Sequence, residues 1–336
     1  MAEGTEQKFF GFLAGCLALL LFCALMSLCA GRFQIAPREL LTEFSGGNAG
    51  ETVHTVLWQI RLPRILLAMA AGCGLAVSGA SFQSLFSNPL ATPDTIGTAN
   101  GASFGAALGI LAGFGSLGVQ LLSLLSGAAA VFLVFLVTSG VRGHRRPMMT
   151  VILAGIVISA LFSSLVSLIK YTADPQDVLP VITFWLMGSL TGTTWNTVRM
   201  GLPFILGGSS LLFLLRFRMN ALALPEEEAR SLGLKLPLVR ALLVAAASAV
   251  TASVVSMCGV IGWVGLLVPH VARMIVGSDN RRVIPASAAG GALFLLLVDT
   301  AARCVTASEL PVSVLTSVIG APVFIALLRR TGGVRL

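Results

Sequence analysis

Three histidines, six cysteines and a run of three glutamates are the groups in this sequence that could do chemistry, and their spacing argues against most of it. His54, His144 and His270 are far apart, with no HExxH and no paired carboxylates around them, so no metal ligand is assigned. The cysteines, at positions 16, 23, 29, 73, 258 and 304, sit singly inside apolar stretches without a CxxC pair. They read as buried thiols rather than as disulfides or a metal site. The stretch SGASFQS lacks the G-x-S-x-G elbow of a serine hydrolase, and no catalytic residue is assigned. There is no G-x-x-x-x-G-K-[ST], so the chain does not bind ATP through a P-loop. Asp299 is the clear acid inside an apolar stretch, four residues before Arg303, and an i,i+4 helical pair accounts for it. An ion-coupled carrier would carry more charge at mid-membrane depth.

The charge is concentrated instead in residues 223–235, which read ALPEEEARSLGLK. Pro225 suits the first helical position. Glu226, Glu227 and Glu228 then complement the positive end of a helix dipole, Gly233 suits the C-terminal cap, and Pro237 prevents continuation. The result is a helix of about two turns, too short to stand alone. It needs a partner surface, or it is a solvated connector.

The elements around that segment are membrane spans. The chain is 56% hydrophobic and 11% charged, with a mean hydropathy of +0.93, which describes a protein whose solvent is largely lipid. Apolar windows predict about ten helices, near 10–30, 64–86, 96–114, 119–141, 148–170, 195–215, 239–258, 262–276, 284–303 and 312–328. The first apolar run is too long for a signal-peptide core, lacks an A-x-A site and has Leu28 where a lipoprotein signal wants a small residue, so it reads as an uncleaved span. With both termini in the cytoplasm, fifteen Lys and Arg fall on the cytosolic side and seven on the outer side. The net charge of +8 follows from these flanking arginines, and no basic stripe suited to nucleic acid is present. The fold class is an all-α integral membrane protein forming a single transmembrane domain over 1–336.

Two patterns remain. Gly155, Ser159, Ser163 and Ser167 recur every four residues along the fifth span, and Ser313, Ser317 and Gly320 make a counterpart in the tenth. On spacing alone such a stripe reads first as close helix packing. In GVIGWVGLLVPH, the glycines permit close helix approach, Pro269 interrupts a span, and His270 is expected to be hydrogen-bonded where that proline frees a carbonyl.

Three long motifs carry a resemblance. WQIRLPRILLAMAAGCGLAVSGASFQSLFSNPLATPDTIGTANGASFGA (58–106), GVIGWVGLLVPHVARMIVGSDNRRVIPASAAGGALFLLLVDTAAR (259–303) and ELPVSVLTSVIGAPVFIALLRR (309–330) occur in one order. They resemble the signatures of FecCD-type permeases, the ABC-importer subunits for iron-siderophores, haem and cobalamin. The resemblance implies a type II importer permease of ten spans per subunit in a bacterial inner membrane, and two such subunits (here a homodimer) around a pore. It also implies two separate ATPase subunits carrying ATP and magnesium, and an extracytoplasmic binding protein. The cargo implied is a ferric siderophore, with cobalamin and haem as alternatives; an ion-coupled secondary transporter is the rival of another class. Residue by residue, the resemblance makes Pro225, Glu226, Glu227, Glu228, Ala229, Arg230, Ser231, Leu232, Gly233 and Leu234, within 223–236, a helix that couples to the ATPase. It makes Arg61, Arg64 and Arg303 docking residues for the binding protein, and Ser159, Ser163, Ser167, Ser313 and Ser317 pathway residues. Pro147, Met148 and Met149 match the cytosolic gate in place, although the family uses small hydroxyl residues there.

Overall fold

The computed structural model describes residues 2–47, 49–139, 148–306 and 309–330; among them are helices and turns and no strand. Helix α1 (Ala2–Cys29) comes first. Two short helices, α2 (Pro37–Phe44) and α3 (Glu51–Thr55), and a π-helical turn (Val56–Arg61) lead into α4 (Leu62–Leu85). A 3₁₀ turn (Pro93–Ile96) precedes α5 (Thr98–Leu111), followed by α6 (Ser116–Ser139), α7 (Met148–Thr172), the short α8 (Val178–Leu186) and α9 (Trp195–Met219). After α10 (Glu226–Ser231) come α11 (Leu236–Cys258), α12 (Val264–Val276), α13 (Asn280–Cys304) and α14 (Val312–Arg330). Ten of these answer the ten expected spans; α2, α3 and α8 were not anticipated. Their sequences are too short for a span signal, and α2 is set locally, with Pro37 at its start and the Glu39 carboxylate accepting from the Ala36 N–H at 2.8 Å.

Helix lengths repeat. From α4 to α7 they run 24, 14, 24 and 25 residues, and from α11 to α14 they run 23, 13, 25 and 19. The short members, α5 and α12, are roughly 20 Å long against a hydrocarbon core of about 30 Å. Each follows an irregular stretch inside the bundle. Before α12 this stretch begins at Gly259 (φ +68°), where a Cβ would lie 2.2 Å from the Trp185 carbonyl oxygen, so only glycine fits.

Helix α4 is the axis of the bundle. Its most apolar window is 78% buried, against 17% for α1, and it packs on α9, α11, α12 and α13. In lipid the driving force for such packing is close backbone approach, and small residues provide it. A Cβ on Gly72 would stand 2.2 Å from the Gly291 carbonyl oxygen in α13, and one on Gly79 would stand 1.8 Å from that of Gly265 in α12. Around these contacts Leu67, Ala68, Ala71, Ala76 and Ala80 are fully covered.

This arrangement makes Gly79 a site of high cost. Gly79→Val should lower the thermal midpoint in detergent sharply, since overpacking costs about 1–3 kcal/mol even where atoms can shift and here it meets backbone. Gly207→Ala, where no atom lies within 4 Å, should leave the midpoint unchanged or raise it slightly.

Candidate functional site

The charges of the bundle meet at one end. Arg64, in the first turn of α4, is buried against Asp299 of α13: Nε and Nη2 donate to Oδ1 at 2.9 and 2.8 Å. Its remaining nitrogen, Nη1, donates to Oε2 of Glu309 at 2.8 Å. Asp299 has no exposed surface and also faces Arg303 Nε at 3.3 Å. Arg303 Nη2 donates to the Ser27 hydroxyl in α1, while Arg61 Nη1 and Nη2 donate to the carbonyls of Leu28 and Phe33. Three guanidinium groups and two carboxylates thus tie the ends of α1, α4 and α13 to the segment before α14. A planar guanidinium suits this because it can serve two carboxylates in fixed directions. For Glu309, burial alone would raise the carboxyl. The Thr191 hydroxyl and the Arg64 guanidinium, with Arg32 nearby, instead hold it below the usual carboxylate range.

Beside this network lies a cavity of about 910 Å³. The start of α6 (Val119, Gln120), the end of α8 (Phe184, Trp185), the hydroxyl-rich stretch 189–197, the end of α11 and Glu309 line it. Gln120 Nε2 donates to the Thr197 carbonyl at 3.2 Å, and Trp195 Nε1 to that of Trp58 at 2.8 Å, so α9 begins at this end. Its far end therefore lies at the opposite face, where α10 sits.

There the glutamate run forms the first turn of α10. Pro225 is the cap residue rather than the first helical one, and Gly233 takes φ +76° just beyond the helix. Arg230 pairs with Glu226 at 2.6 Å, Ala229 is the buried anchor, and Leu232 is 63% exposed. A bare leucine on a two-turn helix has nothing of its own chain to cover it.

The small-residue stripe of α7 divides in two. Gly155 abuts Thr95 and Ile96, and Ser159 accepts from Asn100 Nδ2, so this half packs on α5 and the turn before it. Ser163 and Ser167 are exposed, among Val157, Leu161 and Leu168. In α14, Ser313 donates to the Met187 carbonyl, Ser317 to that of Ser313 at 2.7 Å, and Gly320 abuts Trp263.

A model of the FecCD transport family matches residues 19–330. The chain belongs to that family. It is 39% identical over 317 residues to the molybdate import system permease protein MolB of Haemophilus influenzae, covering 93% of each chain. It is 40% identical over 280 residues to the cobalamin import system permease protein BtuC of Halobacterium salinarum, covering 83% of this chain and 74% of that one. A probable iron chelatin permease of Helicobacter pylori is 37% identical over 283 residues, covering 84% of this chain and 85% of that one. A solved structure described as a metal-chelate type ABC transporter in an inward-facing conformation superposes with a TM-score of 0.87 at 38% identity, covering 95% of this chain and 98% of that one. The chain is thus a multi-pass permease of the ABC-importer kind.

Against this family frame, the expected sites come out unevenly. Arg61, Arg64 and Arg303 do converge at one end, but they are buried and turned onto this chain's own oxygens, not displayed as exposed cations. For Arg64 and Arg303 the reason is Asp299, which is wholly buried and must be matched, whereas Arg61 turns onto the carbonyls that end α1. Pro147 lies outside the described residues, Met148 opens α7, and Met149 is 64% exposed. His270 is not hydrogen-bonded as expected: its Nε2 has no partner among the described residues, and the ring instead stands edge-on to Phe324 at 5.8 Å. Glu309, Thr191, Ser27 and Asn100 were missed, because each acts through partners far away in sequence. Glu309 alone carried a signal, as the solitary acid of the ELP just before a span.

Arg64→Lys should lower the thermal midpoint by the loss of about 2 kcal/mol, since a lysine cannot bond Asp299 and Glu309 together. Denaturation of the purified variant checks this.

Proposed function

We propose that this permease moves a bulky metal chelate, of the ferric-siderophore class, through a dimer of two identical copies in a bacterial inner membrane. The observation that carries the cargo class is the cavity of about 910 Å³ with hydroxyls along one wall and Phe114, Phe184 and Trp185 on others. Its volume lies at the upper end of small-molecule sites, and the mixed lining suits a ligand with polar edges and an apolar body. A second reading, import of a small metal oxyanion, is favoured by the likeness to MolB. The two readings separate on binding. A ferric siderophore titrated against the cognate binding protein and followed by uptake into proteoliposomes should give saturable import. Import of molybdate with no siderophore uptake would reverse the choice.

In this reading the two ATPase subunits sit under α10 and the binding protein at the opposite end. The termini lie on the ATPase side, where Arg216 stacks 3.8 Å from the Phe213 ring centre, a basic-aromatic pairing suited to the cytosolic membrane interface. Arg61, Arg64 and Arg303 serve docking by fixing the shape of the outer end. The exposed faces of α7 and α14, with Ser163, Ser167 and Ser317, form the pathway between copies. Pro147, Met148 and Met149 form the cytosolic gate, methionine being a flexible residue type suited to packing closed.

The coupling role of α10 has a direct check. Leu232→Asp removes the exposed apolar contact, and Gly233→Pro forbids φ +76° because proline is fixed near −65°. The double variant should insert normally but lose copurification with its ATPase and lose uptake. Retention of both would reduce the segment to a connector. For the pathway, cysteines at 163 and 167, on a chain stripped of native cysteines, should react with a water-soluble thiol reagent at rates that change with nucleotide. A cysteine at 159 should react far more slowly, being packed against α5.

A further inference from the structure

The start of α14 is held by polar bonds as well as by packing, Val312 being wholly buried. Among the main contacts of α14 are α12 and α13, and Val314, Val318 and Ile319 lie bare on its outer face. At its first turn, however, the Val312 N–H donates to the Gly188 carbonyl at 2.9 Å, and the Ser313 hydroxyl donates to the Met187 carbonyl. Just before it, Oε2 of Glu309 accepts from both Arg64 and the Thr191 hydroxyl. All of these bonds except the one to Arg64 end on one short stretch, 187–191, after α8.

That stretch is itself anchored on the bundle. The Ser189 N–H donates to the Cys258 carbonyl at 2.7 Å, and a Cβ on Gly188 would meet the Val260 carbonyl oxygen at 2.3 Å. One side of the contact is thus anchored on the α11–α12 break, and the other is a peripheral helix.

The carboxylates at this end also differ in how they are held. Asp299 is wholly buried and bonded by both nitrogens of one edge of Arg64, Nε and Nη2, whereas the Glu309 side chain keeps 24% of its surface exposed and takes a single bond from Nη1. Glu309 can leave without stranding Arg64, because Asp299 still neutralises it. Glu309, Thr191 and Pro311 line the cavity, so the bonds that join α14 to the end of α8 close one of its walls.

We infer that Glu309 is a positioning residue for transport: it clasps the start of α14 against the end of α8, and release of this clasp opens the cavity toward the face of α14. The inference rests on the import reading above and adds to it the group that holds the outer mouth shut. Thr191 acts with it as the second half of the clasp, and Arg64 keeps its partner Asp299 in both states.

The test places a single cysteine at Ser317, one turn into α14, on a chain without native cysteines and assembled with its ATPase. Its reaction with a water-soluble thiol reagent is timed without nucleotide. Glu309→Gln and Thr191→Val should each speed labelling, Glu309→Gln by about tenfold, the order expected for one lost charge-assisted hydrogen bond. Glu309→Asp, which keeps the charge, should restore slow labelling. In a second arm, Met187→Cys with Ser313→Cys, oxidised to a disulfide by copper phenanthroline, should stop uptake, and reduction should restore it. Equal labelling rates across the variants, or full uptake by the crosslinked chain, would overturn the clasp. Uptake by the uncrosslinked chain is the control: if no cargo is imported at all, the import reading fails while the labelling result still decides the clasp.

Discussion

A buried carboxylate is the constraint around which one end of this molecule is organised. Asp299 sits on α13 with no surface exposed, in a protein whose surroundings offer it no water. An ionised carboxylate in that position must be met by cations with hydrogen bonds in good geometry. Arg64 meets it with two nitrogens of one edge, and Arg303 reaches it from one turn away on the same helix. Because Arg64 belongs to α4 and Arg303 also holds Ser27 of α1, satisfying one acid sets the relative heights of three helices. Apolar residues of the same size would pack as well. What the ions add is a fixed register, since a one-turn slip would leave charges unmatched.

The rest of the bundle follows from a second, complementary constraint, which is backbone approach. Gly72 against Gly291 and Gly79 against Gly265 bring α4 so near α13 and α12 that no side chain fits between. Close packing concentrates buried surface on the axial helices, whereas α1 and α7 bury far less of theirs. The peripheral helices α7 and α14 turn bare apolar and hydroxyl faces outward, where a second copy, lipid or a passing ligand can meet them. Glycines also seat these two helices, Gly155 of α7 against Thr95 and Ile96 and Gly320 of α14 against Trp263, so their contacts with the bundle lie along one face and leave the other bare.

Much of this was legible in the sequence, and for identifiable reasons. Spans of twenty apolar residues are a strong signal, so the ten long or apolar helices were found; α8, with nine residues, has no such signal. The short helix α10 was readable because its cap, acid turn and terminal glycine are local, although the true start fell one residue later than Pro225 suggested. Asp299 and Arg303 were readable as a pair four residues apart. Arg64, the stronger partner, stands 235 residues away from Asp299, and Glu309 stands 245 residues from Arg64. No periodicity links such positions. For the same reason Arg61, Arg64 and Arg303 read as docking residues in the sequence, since their partners within the chain cannot be seen in their own neighbourhood. The serine stripe of α7 shows the limit of spacing in another form. Ser159 and Ser163 are equivalent in sequence, yet Asn100 of a different helix takes up the first and leaves the second bare.

Arg64 and Asp299 act as one unit. Thermal unfolding of Arg64→Leu, Asp299→Leu and the double variant, in one detergent and at one salt concentration, measures this directly. Each single change strands a buried charge, so both midpoints should fall steeply, whereas the double variant removes both charges and should recover most of the loss. A double variant whose loss equals the sum of the singles would show that the two residues do not depend on each other, and would contradict the account.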